Sequence, residues 1–328
     1  MQLLLSAAAL DRVKDRIAPF AGDLDIVTVD GPDSFARDGV AIPPEEVDPD
    51  LAWTTLDAYA GGQMGALIGR ILKGTRMQWL QTFNAGLDAP IFKSIIAKGV
   101  RISKSNAQAV AIAEYVVGHA VSLILPIDEQ RQAQAQKTWK MTPYREVSQT
   151  RWCLIGYGSI GREIAKRAKA FGAPLDVVRR AAGADEYADS VSTMDALPTL
   201  LPKADVVVLA CALTDETRGM ADAAFFSALK PGAILINIGR GGLVDEDALR
   251  VGLDTDQPGR AVLDVFAVEP LPQDSWIWEH PKVRVSAHTS NSGQGTVGRG
   301  DDLFVANLER FLKGEPLLNE AHPSEVGL

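Results

Sequence analysis

Short apolar runs and helical spacings take turns along the chain. Over residues 1–101, apolar runs at 2–5, 24–29, 51–54, 79–83 and 100–102 have the length of buried strands. Between them, 64–72 and 90–98 repeat their apolar positions every three to four residues, the period of an amphipathic helix. Pro43-Pro44 and Asp48-Pro49 read as a loop between the second and third strands. This alternation predicts a small open parallel sheet. Residues 107–136 then form one long helical stretch, broken near Pro126 because a proline removes a helical hydrogen bond and crowds the preceding turn. Its half at 107–125 is too apolar for a solvated face and is expected to bury against the next domain or another subunit. The Gln-rich end at 129–136 reads as a solvated extension.

A strand, a glycine turn, a helix and a second strand follow at 152–179. Cys153, Leu154 and Ile155 run into Gly156-Tyr157-Gly158-Ser159-Ile160-Gly161, and Ile164, Ala165, Ala168 and Phe171 continue with helical spacing. Gly172 closes that helix and 174–178 form the next strand, a βαβ unit of about 30 residues. This is a dinucleotide fingerprint in its proper setting: Gly156 permits the tight turn, Gly158 lets the backbone approach a pyrophosphate, and Gly161 lets the helix pack on the strand. The free N–H groups of the helix start, at Ser159 and Ile160, then face the phosphates. Further strands at 205–210, 233–238, 261–265 and 283–286, with helices at 221–229 and 245–253, predict a doubly wound parallel sheet whose ligands lie at the carboxyl ends of its strands. Residues 301–312 have helical spacing and are expected to return to the first domain.

Composition narrows the class. At 328 residues the chain exceeds the usual size of a single core, so two domains are expected. The formal net charge of −9 argues against nucleic acid or an anionic membrane as the main partner, since phosphate surfaces need a basic face. The two cysteines, Cys153 and Cys211, fall in strand-like runs without metal-ligand spacing, which points to reduced core thiols, a cytoplasmic setting and no metal site. Residues 1–10 lack the basic leading segment of a signal peptide and read as a strand entering a helix. Residues 107–127 carry Glu114 and His119 near their middle, so a buried helix is expected rather than a membrane span.

Three polar residues sit just past strand ends: Arg240, Glu269 and His288. Alone, each has an ordinary reading as a surface or structural side chain. The turn Asn84-Ala85-Gly86-Leu87-Asp88 follows a strand and precedes a helix, so its amides can hold a carboxylate, or it is only a turn with Asp88 as cap.

The segments Gly156 to Gly161, 237–246 (Asn-Ile-Gly-Arg-Gly-Gly-Leu-Val-Asp-Glu), 263–272 (Leu-Asp-Val-Phe-Ala-Val-Glu-Pro-Leu-Pro) and 283–288 (Val-Arg-Val-Ser-Ala-His) occur in order. Together they resemble the D-isomer-specific 2-hydroxyacid dehydrogenases, the family that includes glyoxylate/hydroxypyruvate reductases; 79–88 and 106–115 resemble its amino-terminal segments. The resemblance implies an α/β enzyme with a Rossmann domain at 103–290. A smaller flavodoxin-like substrate domain at 1–102 would be completed by 291–328, with the active site in a cleft between the two. It implies His288 as proton donor, Glu269 as the carboxylate that favours the charged imidazole, and Arg240 as the fork for the substrate carboxylate. Ala85 and Gly86 would hold that carboxylate from the other domain. Asp264 would contact the nicotinamide carboxamide or else cap a strand end. Cys211 would lie against the cofactor. Many members carry Thr-Pro before the histidine where this chain has Ser286-Ala287.

NAD-specific members carry an acid about 18 positions after the last fingerprint glycine, on the ribose 2′-hydroxyl. Arg179 stands there with Arg180 beside it, which predicts NADP(H) over NAD(H), because paired guanidinium groups attract a 2′-phosphate. Asp176 keeps an NAD reading open if the strand is shorter. The resulting expectation is a homodimeric NADPH-dependent reductase of small 2-keto acids, the apolar stretch 107–125 being a candidate interface. An NAD-dependent, phosphoglycerate-like dehydrogenase and a dinucleotide sensor without turnover are the alternatives. Residues 53–59 with Trp276 or Trp278 are candidates for the substrate pocket, and Trp139 and Tyr144 either reach a neighbouring subunit or pack locally.

Overall fold

A computed structural model describes residues 1–328. The chain divides into two compact units, one formed by Met1–Gln108 with Gln294–Leu328 and the other by Ala109–Gly293.

The first unit is a seven-stranded sheet: β1 (Gln2–Ser6), β2 (Asp25–Gly31), β3 (Ser34–Arg37), β4 (Val40–Ile42), β5 (Leu51–Trp53), β6 (Trp79–Gln81) and β7 (Arg101–Ser103), in the order β4-β3-β2-β1-β5-β6-β7. Its parallel part, β2-β1-β5-β6-β7, is the flavodoxin-like order. Helices α1 (Ala7–Ile17), α2 (Leu56–Ala60), α3 (Met64–Lys73) and α4 (Pro90–Ala97) connect the strands. The sheet is covered on one face by the carboxy-terminal helix, Gly295–Leu312, whose Phe304 stacks on Trp53 with ring centroids 4.0 Å apart. Phe304 and Phe311 also stack on Trp79. Trp53 is therefore a core residue of this unit, 3% exposed, and not part of a substrate pocket. Aromatic pairs of this kind add ~1 kcal/mol beyond the area they bury.

The hairpin β3–β4 pairs antiparallel at the sheet edge and occupies residues read from the sequence as loop. Asp38 and Gly39 both have positive φ, 51° and 78°, the backbone of a two-residue hairpin turn, and Asp-Gly is a preferred sequence for it. The cap expected at Asp88 also differs. Pro90 occupies the first turn of α4, so the N-cap falls on Ala89, which makes no side-chain capping bond.

The second unit begins with α5 (Ala109–Ile124) and α6 (Ile127–Ala135), bent by 58° at the break before and at Pro126. No single helix is long and apolar enough to cross a membrane. Ile112, Ala113, Val116, Val117 and Ala120 of α5 pack into the core of this same unit, which accounts for the apolar stretch. Its parallel sheet comprises β8 (Trp152–Ile155), β9 (Leu175–Val178), β10 (Ser190–Ser192), β11 (Val206–Leu209), β12 (Ile234–Asn237), β13 (Arg260–Leu263) and β14 (Val283–Val285), ordered β10-β9-β8-β11-β12-β13-β14. This is the doubly wound order, with the switch between β8 and β11. Helices α7 (Ser159–Ala170), α8 (Leu197–Leu200), α9 (Ala223–Ser227) and α10 (Glu246–Asp254) connect its strands. Cys153, Ile155, Val207, Leu209 and Leu235 feed one core, and Trp152, Leu154, Val206, Val208 and Ile236 the other. Strands buried on both faces read as continuous apolar runs, as these do.

Charged groups gather at the amino edge of this sheet. Asp205 accepts from Arg145 Nη1 at 2.5 Å, from Arg151 N at 2.8 Å and from Lys230 Nζ. Burial pushes its carboxyl up, but the two cations and the amide outweigh that and hold it below the ordinary aspartate value of 3.8. A depressed folded value contributes stability that is present above 3.8 and lost as pH falls through the folded value. The melting temperature is accordingly expected to fall more steeply in the wild type than in Asp205→Asn between about pH 5 and about pH 3. Parallel melting curves would contradict this.

Candidate active site

The glycine turn between β8 and α7 is shaped by close backbone approach. Gly156 has φ +102°, and a Cβ there would stand 2.4 Å from Cys211 N and 2.5 Å from Ala210 O. At Gly161 a Cβ would meet Gly156 O at 2.4 Å, so the helix start lies directly on the turn. Around Gly158, in contrast, a Cβ would find nothing within 4 Å, and no side chain caps α7, whose first residues are Ser159 and Ile160. The outer side of the turn thus offers open space and uncapped helix amides, which fit a pyrophosphate. Cys211 borders this turn through its backbone. Its thiol contacts Met220 Sδ at 3.9 Å, and burial pushes it up to about 11, so it stays protonated at neutral pH. Cys153 is likewise raised by burial, to about 12, and both cysteines are free.

Gly156 N donates to Val178 O at 2.8 Å, which brings the end of β9 beside the turn. Arg179 and Arg180 follow at once. Arg179 is half-buried, with Nε on Ala181 O at 2.9 Å and its guanidinium 6.0 Å from the centre of the Tyr157 ring; Arg180 is exposed. Asp176 lies instead toward the other end of the strand. It is 4% exposed and bonded to Arg151 Nη1 and Ser190 Oγ, each at 2.6 Å, at the sheet edge away from the glycine turn. That position removes it as a ribose ligand.

Adjacent strands β12, β13 and β14 carry Arg240, Glu269 and His288 beyond their carboxyl ends. Asn237, fully buried, clamps the first turn: its Nδ2 donates to Arg240 O at 2.9 Å and its Oδ1 accepts from Gly239 N at 3.1 Å. Arg240 Nη1 donates to Gly239 O at 2.7 Å. The next residue, Gly241, lies so close to the β13 loop that a Cβ would stand 1.8 Å from the Phe266 carbonyl carbon. Phe266 N in turn donates to Glu269 Oε1 at 3.0 Å, and Glu269 Oε2 meets His288 Nδ1 at 2.8 Å. One imidazole nitrogen is thereby oriented by a carboxylate, leaving Nε2 as the nitrogen able to exchange a proton with a ligand.

His288 has φ +52°, a left-handed backbone that costs a non-glycine residue about 1 kcal/mol or more and persists where surroundings impose it. Asp264 supplies that constraint. Its backbone O accepts from His288 N at 2.9 Å, and its carboxylate, 1% exposed, takes Thr289 N at 2.8 Å, Ser290 N at 3.1 Å and Ser286 Oγ at 2.5 Å. These bonds are those of the strand-end cap. Since Ser286 donates to Asp264, the 2.6 Å contact between Tyr115 and Ser286 has the tyrosine hydroxyl as donor. Ser286 thereby links the Tyr115 hydroxyl to the Asp264 carboxylate.

Ala85 and Gly86 stand in the first unit, past β6, where Asn84 N donates to Thr82 Oγ1 at 3.2 Å. Trp276 and Trp278 belong to the second unit. Trp276 packs between Arg250 and His280, and Trp278 is half exposed with Nε1 on Pro272 O. No group of three His, Cys, Asp or Glu side chains is arranged to hold a metal. Asn237, Gly241, Tyr115 and Ser286 were not singled out from sequence as parts of the site. The Asn-Ile-Gly-Arg-Gly run carries a local signal for the first two; the tyrosine, 171 residues from its serine, has none.

The doubly wound sheet, its pyrophosphate-shaped turn and an imidazole–carboxylate pair at the strand ends define a nicotinamide-dinucleotide oxidoreductase. Residues 117–290 match the family model for the NAD-binding domain of D-isomer specific 2-hydroxyacid dehydrogenases. Glyoxylate/hydroxypyruvate reductase A of Arabidopsis thaliana is 31% identical over 248 residues, 74% of this chain and 77% of that one. A family protein from Aeromonas salmonicida superposes with TM-score 0.78 at 28% identity, covering 98% of this chain and 99% of that one. A D-isomer specific 2-hydroxyacid dehydrogenase from Xanthobacter autotrophicus Py2, solved with NADPH and MES, gives 0.80 at 26% identity over 98% of both chains. The protein belongs to the D-isomer specific 2-hydroxyacid dehydrogenases.

Proposed function

We propose that the protein is an NADPH-dependent reductase of small 2-keto acids of the glyoxylate and hydroxypyruvate kind, producing D-2-hydroxy acids. The observation that carries this reading is the 2.8 Å contact of His288 Nδ1 with Glu269, on a strand end next to the one that bears Arg240. Reduction of a 2-keto acid needs a proton for the carbonyl oxygen and a fixed cation for the carboxylate. His288 Nε2 donates the proton, and Glu269 orients the ring through Nδ1. Arg240 presents a planar fork to the carboxylate and the carbonyl oxygen, a geometry that lysine lacks. The Gly156–Gly161 turn with the amides of Ser159 and Ile160 holds the cofactor pyrophosphate, and Arg179 with Arg180 holds the 2′-phosphate. When bound, the cofactor supplies the hydride for the carbonyl carbon.

The protein acts as a homodimer in this reading. Trp139, Met141 and Tyr144 are exposed on a stretch without regular structure, an apolar surface of the kind that a second copy covers.

The test is loss of nicotinamide absorbance with glyoxylate or hydroxypyruvate, supplied with NADPH or NADH in separate reactions. Faster use of NADPH is expected. Substituting both arginines, Arg179→Ala with Arg180→Ala, is expected to raise KM for NADPH roughly ten- to a hundredfold and to leave KM for NADH within about twofold, since charge-assisted bonds to one phosphate are lost. A preference for NADH would overturn the phosphate assignment. No turnover across a panel of 2-keto acids would turn the reading toward a dinucleotide-binding sensor.

A further inference from the structure

Beside Arg179 a carboxylate is already seated. Asp185 Oδ1 accepts from the Tyr157 hydroxyl at 2.7 Å and from Tyr187 N at 3.0 Å, and its Oδ2 accepts from Arg162 Nη1 at 2.7 Å. Glu186 binds the other arm of Arg162 at 2.5 Å, and the Arg162 guanidinium lies 5.0 Å from the centre of the Tyr187 ring. Through these contacts the loop after β9 is fastened to the glycine turn and to the first turn of α7. Arg179 covers the ring of the same Tyr157 whose hydroxyl holds Asp185. The Tyr157 hydroxyl, the loop amide, Arg162 and Arg179 together keep the Asp185 carboxyl below its ordinary value. The same contact and burial raise the Tyr157 hydroxyl, so it remains a donor.

A hydroxyl, an amide and the Arg162 guanidinium donate to this one anion, and Arg179 acts on it through its charge, a set of partners that also suits a phosphate monoester. Here a side chain of the protein fills it. We propose that Asp185 is a specificity-determining residue, an internal carboxylate that competes with the cofactor 2′-phosphate for Arg179 and Arg162 and keeps NADH usable. A 2′-phosphate arriving at Arg179 meets the charge of Asp185 and must share or displace it. A ribose 2′-hydroxyl meets only an acceptor, to which it can donate. This inference rests on the assignment of Arg179 to the 2′-phosphate.

The test uses two ligands without the nicotinamide half, adenosine 2′,5′-bisphosphate and adenosine 5′-monophosphate, titrated calorimetrically into the full chain. Asp185→Asn keeps the shape and an acceptor oxygen while removing the charge. It is expected to tighten the bisphosphate about tenfold, to leave the monophosphate within about twofold, and to steepen the salt dependence of bisphosphate binding. Weaker or unchanged bisphosphate binding in a folded variant overturns the proposal and makes Asp185 a loop brace. Asp185→Ser carries the same expectation where Asp185→Asn fails to fold. The underlying assignment fails separately: if the wild type binds both ligands alike, and Arg179→Ala leaves their ratio unchanged, Arg179 does not meet the phosphate and the proposal falls with it.

Discussion

His288→Ala is expected to lower kcat for keto-acid reduction by roughly a hundred- to ten-thousandfold, the range by which a positioned general acid accelerates a reaction. The cofactor dissociation constant should change little, because His288 stands beyond β14 while the glycine turn lies across the sheet beyond β8. The contact of Glu269 Oε2 with Nδ1 at 2.8 Å makes a further distinction possible. Glu269→Gln keeps a group that can bond the ring at Nδ1 while removing the carboxylate. Its rate loss should therefore be smaller than that of His288→Ala, since the proton donor and a partner for its Nδ1 both remain. A loss in Glu269→Gln as large as that in His288→Ala would show that a neutral partner at Nδ1 does not position the ring. Loss of cofactor binding in His288→Ala would displace the histidine from the role assigned to it.

Gly241→Ala is expected to be the most damaging small substitution in the second unit. A methyl group there would stand 1.8 Å from the Phe266 carbonyl carbon and 2.3 Å from Ala267 N, and backbone cannot swing aside as a side-chain end can. Overpacking of this kind costs ~3 kcal/mol, and for a unit of this size that lowers the melting temperature by roughly 6 to 12 °C. Activity should fall further than stability alone explains. Arg240 precedes the glycine, and Phe266 anchors Glu269, so separating the two segments moves the guanidinium away from the carboxylate that orients His288. Gly242→Ala is the control. Its Cβ would meet the ends of Leu213 at 3.0 and 3.3 Å, which can rotate away. Differential scanning calorimetry with steady-state kinetics on both variants decides the matter, and equal effects at the two positions would show that the close approach at Gly241 relaxes without cost.

What was legible in the sequence were features whose cause is local. The turn from Gly156 to Gly161 announces itself because Gly156 and Gly161 answer steric demands from the neighbouring strand's end and from the turn itself, while Gly158 leaves its outer side open. Continuous apolar runs such as Val206–Leu209 follow from burial on both faces. The hairpin at Asp38-Gly39 was also written locally, but its strands are three and four residues long and lie at the sheet edge, where apolar patterning is weak. Trp53 misled for the opposite reason. Its partner Phe304 arrives from the far end of the chain, and no local pattern distinguishes an aromatic that lines a pocket from one that fills a core. The network around Asp264 lies between these cases. The residue belongs to a legible motif, while the work its carboxylate does depends on amides and hydroxyls contributed by the segment at 286–290.

The first unit is interrupted in sequence, and its last piece is the helix that supplies Phe304 and Phe311. During synthesis on the ribosome, β1 to β7 emerge long before that helix does. Until then the nascent sheet presents Trp53 and Trp79 without the aromatic partners that stack on them. The second unit, continuous from Ala109 to Gly293, has all its strands in hand earlier and needs nothing that comes later. The order of birth is thus reversed in the order of completion: the domain translated first is the last to close.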